Sequence, residues 1–150
     1  MEVKDLEVSL KKQKDNLAVL LSAALQKQKA LVSLDYSGLE SSITKEERAL
    51  TGITEHEKQR IKILTDLYSK YSLSFNSYKL AEFMERTRTI LDKKSINEIA
   101  MAEKELKELI TKISKVNQQN KYLIENSRAF IKETISCILN ARKSLLDKKV

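Results

Sequence analysis

The chain has 150 residues, a typical size for one domain, and its composition argues against a fold built from sheets. It contains no Pro, no Trp and two Gly, while 33% of its residues are charged. Because sheets need frequent turn residues and a few long helices do not, we predict an all-α fold. The 28 basic and 21 acidic residues give a net charge of +7, but the two signs alternate along the helices, so no nucleic-acid partner is expected.

The first half of the chain predicts a hairpin of two long helices. The first helix carries a stripe of apolar residues at Val3, Leu6, Leu10, Leu17, Leu20, Ala24, Leu31 and Leu34, which Gln13 and Lys27 interrupt. In the sequence LDYSGLE, Ser37 and Glu40 have the spacing of a capping box. A second helix of similar length follows from about Leu39 to Tyr71, with a stripe at Ile43, Leu50, Ile53, Ile61, Leu64 and Tyr68. Helices of similar length with a short connection predict an antiparallel pair.

The second half predicts a short helix and then a long one. The sequence YSLSFNSYKL reads as a loop, and a short helix follows through Leu80, Phe83, Met84, Thr87 and Leu91. Ser95 and Glu98 form a second capping-box pattern, after which no helix breaker occurs until about Leu146. We therefore predict one elongated antiparallel helical bundle or coiled coil over residues 1–150. Residues 1–94 form the hairpin and the short helix, and residues 95–150 form the long C-terminal helix.

The last predicted helix changes character near its middle. Its central stripe runs through Ile99, Leu106, Ile110, Ile113, Asn117, Asn120, Ile124, Ile131, Ile135, Ile138 and Leu145. Beside that stripe, Leu123, Phe130, Cys137 and Ala141 widen the apolar face toward the C-terminus. A wider face can contact a second neighbour, so residues 117–146 are the candidate partner-binding segment. Phe130, Ile131, Ile135, Ile138 and Leu139 would supply most of the buried area.

The two amides in this stripe need a separate explanation. A buried amide lowers stability but penalises any register in which its hydrogen bonds fail. Three placements are open for Asn117 and Asn120: polar packing within the bundle, direct contact with a partner, or exposure to water.

The residues that could carry chemistry do not form a catalytic pattern. The single histidine, His56, lies among charged residues and is expected on an exposed helix face. The single cysteine, Cys137, has no histidine near it in sequence, and no glycine-rich phosphate loop occurs. We expect no enzyme activity, no cofactor and no metal site.

The cysteine count and the apolar runs also bear on the cellular compartment. One cysteine allows no internal disulfide and is typical of a reducing compartment. The first ten residues, MEVKDLEVSL, lack the apolar segment of a secretory signal. No apolar run approaches the ~20 residues that span a bilayer. We therefore expect a cytoplasmic protein without stable membrane insertion.

Several of these sequences resemble one family. QKQKAL at residues 26–31, Asp35 in the turn, KEERAL at residues 45–50 and Arg60 are similar to the first half of the FlgN family of flagellar export chaperones. Asn117, Asn120, Leu123 and Ile124 fit that family's C-terminal pattern, which Ser127 and Ile131 continue. The chain departs from the pattern in being rich in Lys and in carrying Gln26 and Gln28 at usually acidic positions.

The resemblance implies a function. It implies an ATP-independent cytoplasmic chaperone of type III flagellar export that binds the C-terminal helical segments of hook–filament junction proteins. Such a chaperone prevents premature association of these proteins and delivers them to the flagellar export machinery. The expected partner-binding residues are Asn117, Asn120, Leu123, Ile124, Ser127, Phe130, Ile131, Ile135, Ile138 and Leu139. We expect a monomer or weak homodimer. The alternative is a structural coiled-coil component of an export apparatus or another helical scaffold, which would form a stable oligomer.

Overall fold

The computed structural model describes residues 2–148, and within that range the chain forms four helices and no strand. The helices are α1 (Val3–Ser33), α2 (Tyr36–Lys70), α3 (Leu80–Arg86) and α4 (Lys93–Lys148). The predicted all-α architecture, with two long helices, one short helix and a longer C-terminal helix, is confirmed. Residues 1, 149 and 150 of the predicted domain lie outside the described residues.

Helices α1 and α2 form the predicted antiparallel hairpin. Glu2 Oε1 lies 2.7 Å from Lys70 Nζ, Gln13 Nε2 donates to Ile53 O at 3.1 Å, and Lys27 Nζ lies 3.3 Å from Glu46 Oε2. Position numbers rise in one helix as they fall in the other, which defines the antiparallel direction. Gln13 and Lys27, which interrupt the apolar stripe of α1, therefore make polar contacts with α2.

Aspartates cap the two helices for which the sequence predicts capping boxes. Asp35 Oδ1 accepts from Gly38 N at 2.9 Å, and α2 begins at Tyr36. A Cβ at position 38 would lie 2.4 Å from Asp35 Oδ2, so glycine leaves room for the capping carboxylate. Asp92 Oδ1 accepts from Ser95 N at 3.3 Å, and this bonding with Ser95 holds the pKa of Asp92 below its ordinary value.

The two predicted capping boxes are therefore wrong as helix starts. The helices begin at Tyr36 and Lys93, two or three residues before the predicted positions. The physical reason is that a hydrogen bond from a backbone amide to an ionised carboxylate is stronger than one to a neutral serine hydroxyl.

The thickest part of the core lies where α1 and α4 begin and α2 ends. Leu6, Leu10, Leu64, Leu67 and Ile99 are fully buried there. The ring of Tyr68 packs against Phe75 and Phe83 with centroids 5.3 and 5.6 Å apart. The loop before α3 is held by Arg60, whose Nη1 donates to Tyr78 O at 2.8 Å, and by Arg86, which donates to Ser74 O.

The opposite end of the hairpin is packed through small side chains. The buried residues there are Ala23, Ala24 and Ala30 of α1 and Ser42 and Ala49 of α2. Small side chains let two helix backbones approach closely, so the larger residues beside them are displaced from the interface. Ile43 and Leu50, predicted for the buried stripe, are 37% and 51% exposed. That part of the predicted α2 stripe is wrong by one position.

The same shift changes the position of His56. It lies seven residues after Ala49 and seven before the buried Ile63, so it shares the inner face of α2. His56 is half-buried, and its Nδ1 is buried without a hydrogen-bond partner among the described residues. The predicted exposed position of His56 is therefore wrong.

Candidate partner-binding surface

Helix α4 runs parallel to α1. Lys14 Nζ lies 2.8 Å from Glu105 Oε2, Asn120 Nδ2 donates to Ala24 O at 2.9 Å, and Gln28 Nε2 donates to Gln119 Oε1 at 2.9 Å. Position numbers rise together in both helices, with an offset of 91 to 96. The end of α1 at Ser33 therefore lies level with about residues 124–129 of α4.

Beyond that level α4 continues alone. Every residue from Arg128 to Asp147 is exposed, and we call residues 128–147 the C-terminal segment. At the helical rise of 1.5 Å per residue it extends about 30 Å past the hairpin. No other helix among residues 2–148 covers it.

The C-terminal segment carries large apolar side chains. Phe130 is the most exposed of them at 70% and Ile135 the least at 52%. The full set is Phe130, Ile131, Ile135, Ile138, Leu139, Leu145 and Leu146. Its charged residues are Arg128, Lys132, Arg142 and Lys143 against Glu133 and Asp147, a net charge of +2. An exposed apolar surface of this size, bordered by charges, indicates a site for another protein.

The structure separates the predicted site residues into three groups. Asn120 is buried within the bundle at 3% exposure, whereas Asn117 is exposed. Leu123, Ile124 and Ser127 are half-buried near the end of α1. The C-terminal segment holds the remaining five, which are Phe130, Ile131, Ile135, Ile138 and Leu139. The list of expected partner-binding residues ends at Leu139, but Leu145 and Leu146, which lie within the predicted segment 117–146, are equally exposed.

The predicted stripe of α4 is also partly wrong. Ile99, Leu106, Ile113, Val116 and Asn120 are the buried positions that face inward. In contrast, Ile110 is 54% exposed. The reason is that α1 is the only long helix that α4 contacts, so a narrow strip with alternating steps of three and four residues is buried.

The exposed Ile110 lies on the wall of a groove between α2 and α4. The groove has a volume of about 900 Å³, and Gln13 and Leu17 of α1 form part of its lining. The α2 side carries Ile53, Glu57 and Arg60, and the α4 side carries Glu103, Leu106, Lys107 and Ile110. Residues 77–81 also line it. We call it the α2–α4 groove.

A carboxyl pair lies at the contact between α1 and α4. Burial raises the pKa of Glu7 above its ordinary value, and a hydrogen bond with Glu98 and the charges of Glu98 and Asp92 raise it further. A hydrogen bond with Ser95 acts in the opposite direction. Because the pKa of Glu7 is raised, its contribution to stability depends on pH.

The described residues provide neither a metal-ion cluster nor a helix that could cross a membrane. Residues 2–148 contain no group of three or more His, Cys, Asp or Glu that could hold a metal ion. Cys137 is a free, exposed thiol. None of the described helices combines the length and hydropathy required to cross a membrane.

A helical body that leaves the apolar face of one long helix uncovered defines a protein that binds other proteins. The family model described as FlgN protein matches residues 1–146. The chain therefore belongs to the FlgN family, the flagellar export chaperones. No curated protein and no solved structure matches the chain in the corresponding searches.

Proposed function

We propose that this chaperone binds the C-terminal helical segments of hook–filament junction proteins in the cytoplasm. It prevents their premature association and delivers them to the type III export machinery, without enzymatic activity and without a cofactor. The observation that supports the proposal is the C-terminal segment, where seven large apolar side chains on one helix are each more than half exposed.

The binding mode follows from the shape of this surface. A helix with an exposed apolar face takes up a second amphipathic helix by side-by-side packing. A transient carrier must also release its client, so we expect dissociation constants between about 1 nM and 1 μM. The net positive charge of the segment favours acidic residues beside the apolar face of the client and speeds the encounter more than it tightens the complex.

The first experiment removes the segment. A chain that ends at Ser127 should keep the melting temperature of the hairpin, because residues 128–147 pack against no other helix of the described chain. It should lose the client, measured by calorimetric titration with a purified hook–filament junction protein. Full affinity in the truncated chain would place client binding elsewhere.

The second experiment uses matched point variants. The double variant Ile135→Glu and Ile138→Glu puts charge on the apolar face, whereas Asn140→Glu puts charge on the opposite side of the same helix. We expect the double variant to weaken client binding at least ~100-fold, since two buried charges replace two apolar contacts. Asn140→Glu should bind like the unchanged chain. Equal losses in both variants would contradict an apolar binding face.

A further inference from the structure

The α2–α4 groove is a gap in the helical body that is closed at one end. Both α2 and α4 pack along α1, and no backbone contact joins them to each other among the described residues. The chain between α2 and α3 crosses the gap at one end, where Arg60 donates to Tyr78 O and α3 packs against α4. At the other end the lining stops at Ile53 and Ile110, so the groove opens toward the C-terminal segment.

The side of α4 that lines the groove continues along the C-terminal segment. Because a helix turns by about 100° per residue, Arg128 and Leu146 point in the same direction as Ile110. We call the residues of α4 within about 40° of that direction the groove-side track. Beyond Ile110 its large apolar residues are Ile124, Ile135, Leu139 and Leu146. Ile124 is half-buried, and the other three are more than half exposed.

The groove-side track is basic where it leaves the groove. Its charged residues after Ile110 are Lys121, Arg128, Lys132 and Arg142. All four are exposed, and none forms an ion pair with a carboxylate of residues 2–148. Within the groove, by contrast, two cations have partners on their own helices. These pairs are Arg60–Glu57 and Lys107–Glu103. Cations available to another molecule therefore lie outside the groove, along the C-terminal half of the track.

These charges favour an acidic helix as the occupant of the track. A second copy of this chain would bring its own basic track, so the two surfaces would repel each other. The C-terminal segment of the same chain would need a break in α4, which is unbroken over Lys93–Lys148 and has neither Gly nor Pro at residues 125–131. An acidic amphipathic helix supplies both features that the track lacks, an apolar cover and carboxylates.

We propose that one acidic amphipathic helix of the client lies along the groove-side track and ends inside the α2–α4 groove. This inference rests on the proposed function and adds the length, the end point and the charge pattern of the client helix. The track from Ile110 to Leu146 measures about 54 Å, which corresponds to about 36 residues of client helix. The end of the client helix in the groove is apolar, and its carboxylates lie outside the groove beside Lys121 and Arg128.

Photo-cross-linking of the full chain with a purified hook–filament junction protein tests this path. Benzoylphenylalanine replaces Ile110 in the groove or Leu139 in the C-terminal segment. The control position is Met101, which is 65% exposed and lies on the opposite side of α4 from Ile110. Positions 110 and 139 should each join the client, at client residues about 29 positions apart, because two paired helices have the same rise per residue. Position 101 should not join it.

The possible results separate this inference from the proposed function. A client joined at 139 and not at 110 would overturn the inference and leave the proposed function intact. Equal joining at 101, client residues close together in sequence, or a second chaperone chain joined at 110 would also overturn it. A client joined at neither 110 nor 139 would contradict the proposed function as well.

Matched substitutions test the groove without a cross-linker. Ile110→Glu should weaken client binding at least ~10-fold in calorimetric titration, since it puts a charge beside the apolar end of the client helix. Met101→Glu should bind like the unchanged chain. Both side chains are more than half exposed, so both variants should keep the melting temperature of the unchanged chain. Unchanged client affinity in Ile110→Glu would overturn the inference.

Paired charge reversals test the acidic character of the client helix. Lys121→Glu with Arg128→Glu changes the track, whereas Lys112→Glu with Lys115→Glu makes the same change in net charge on the opposite side of α4. The track variant should bind the client at least ~10-fold more slowly than the control variant at low salt, and the difference should shrink in about 0.5 M salt. Equal association rates in the two variants would overturn the placement of client carboxylates along the track.

Discussion

Asn117 and Asn120 are three residues apart, yet only Asn120 belongs to the core. Its Nδ2 donates to Ala24 O, while its buried Oδ1 has no hydrogen-bond partner among the described residues. The carbonyl of Ala24 lies within α1, where the helix supplies its own hydrogen bond. The side-chain bond is therefore offset by the cost of the unpaired oxygen.

Replacement of Asn120 by Leu should raise the free energy of unfolding by about 1 kcal/mol, because it removes the unpaired oxygen and keeps the volume. Urea denaturation of dilute protein measures this. The control is Asn117→Leu, which should change the free energy by less than ~0.5 kcal/mol under the same conditions. A destabilised Asn120→Leu variant would show that the bond to Ala24 outweighs the unpaired oxygen.

Glu7 makes stability depend on pH in the direction opposite to a salt-bridged carboxylate. Its pKa is raised in the folded chain, so the folded state holds the proton more tightly than the unfolded state does. Its contribution is therefore most favourable below the ordinary pKa of 4.5 and is lost as pH rises through the raised value.

The variant Glu7→Gln has no carboxyl group that ionises in this partly buried position. It should therefore melt at a higher temperature than the unchanged chain at pH 7. The difference should shrink as pH falls toward 4, as followed by circular dichroism. Glu108→Gln, at an exposed position of α4, serves as the control and should show little difference at either pH. A Glu7→Gln variant that melts lower at pH 7 would contradict the raised pKa.

At the scale of single helices, the sequence predicted where the helices lie better than it predicted which face of each helix is buried. Long runs without Pro define α1, α2 and α4, although both glycines of the chain, Gly38 and Gly52, lie within α2; the stretch 71–79, which was predicted as a loop, separates α2 from α3. The helix starts were displaced because Asp35 and Asp92 act as caps in place of Ser37 and Ser95. The sequence also predicted an apolar face that widens toward the C-terminus, and in the structure residues 128–147 of α4 are exposed.

The buried faces were harder to predict because the largest apolar side chains of this hairpin are not always the most buried ones. A stripe drawn through the largest apolar residues selects Leu50, whereas close helix packing selects Ala49. Likewise, Ile110 and Asn117 form an apparent seam with Ile124, but α1 contacts the adjacent strip that contains Ile113 and Val116. Sequence periodicity finds both stripes, and only the position of the neighbouring helix decides between them.

A reciprocal pair of variants tests this assignment. Ala49→Leu should destabilise the chain by about 1–3 kcal/mol, because it overfills a close contact between α1 and α2. Leu50→Ala should cost less than ~1 kcal/mol, since half of that side chain is already exposed. Thermal unfolding of the two variants measures both effects. A larger destabilisation by Leu50→Ala than by Ala49→Leu would show that Leu50, and not Ala49, lies on the buried face of α2.

At the scale of the whole molecule, the two ends have different constructions. One end holds the aromatic cluster around Tyr68 and the fully buried leucines, while the other ends in a single projecting helix. The packed core and the proposed partner-binding surface therefore lie in separate parts of the chain. This separation lets the proposed surface remain uncovered without unfolding the body.

Gln28–Gln119 and Asn120–Ala24 are the last hydrogen bonds between α1 and α4 among the described residues, and they lie close to the point where the C-terminal segment leaves the hairpin. A tilt of α4 by about 10° at this point would move the end of the C-terminal segment, about 30 Å away, by about 5 Å. A small change in packing around these contacts would therefore change the direction of the C-terminal segment relative to the hairpin.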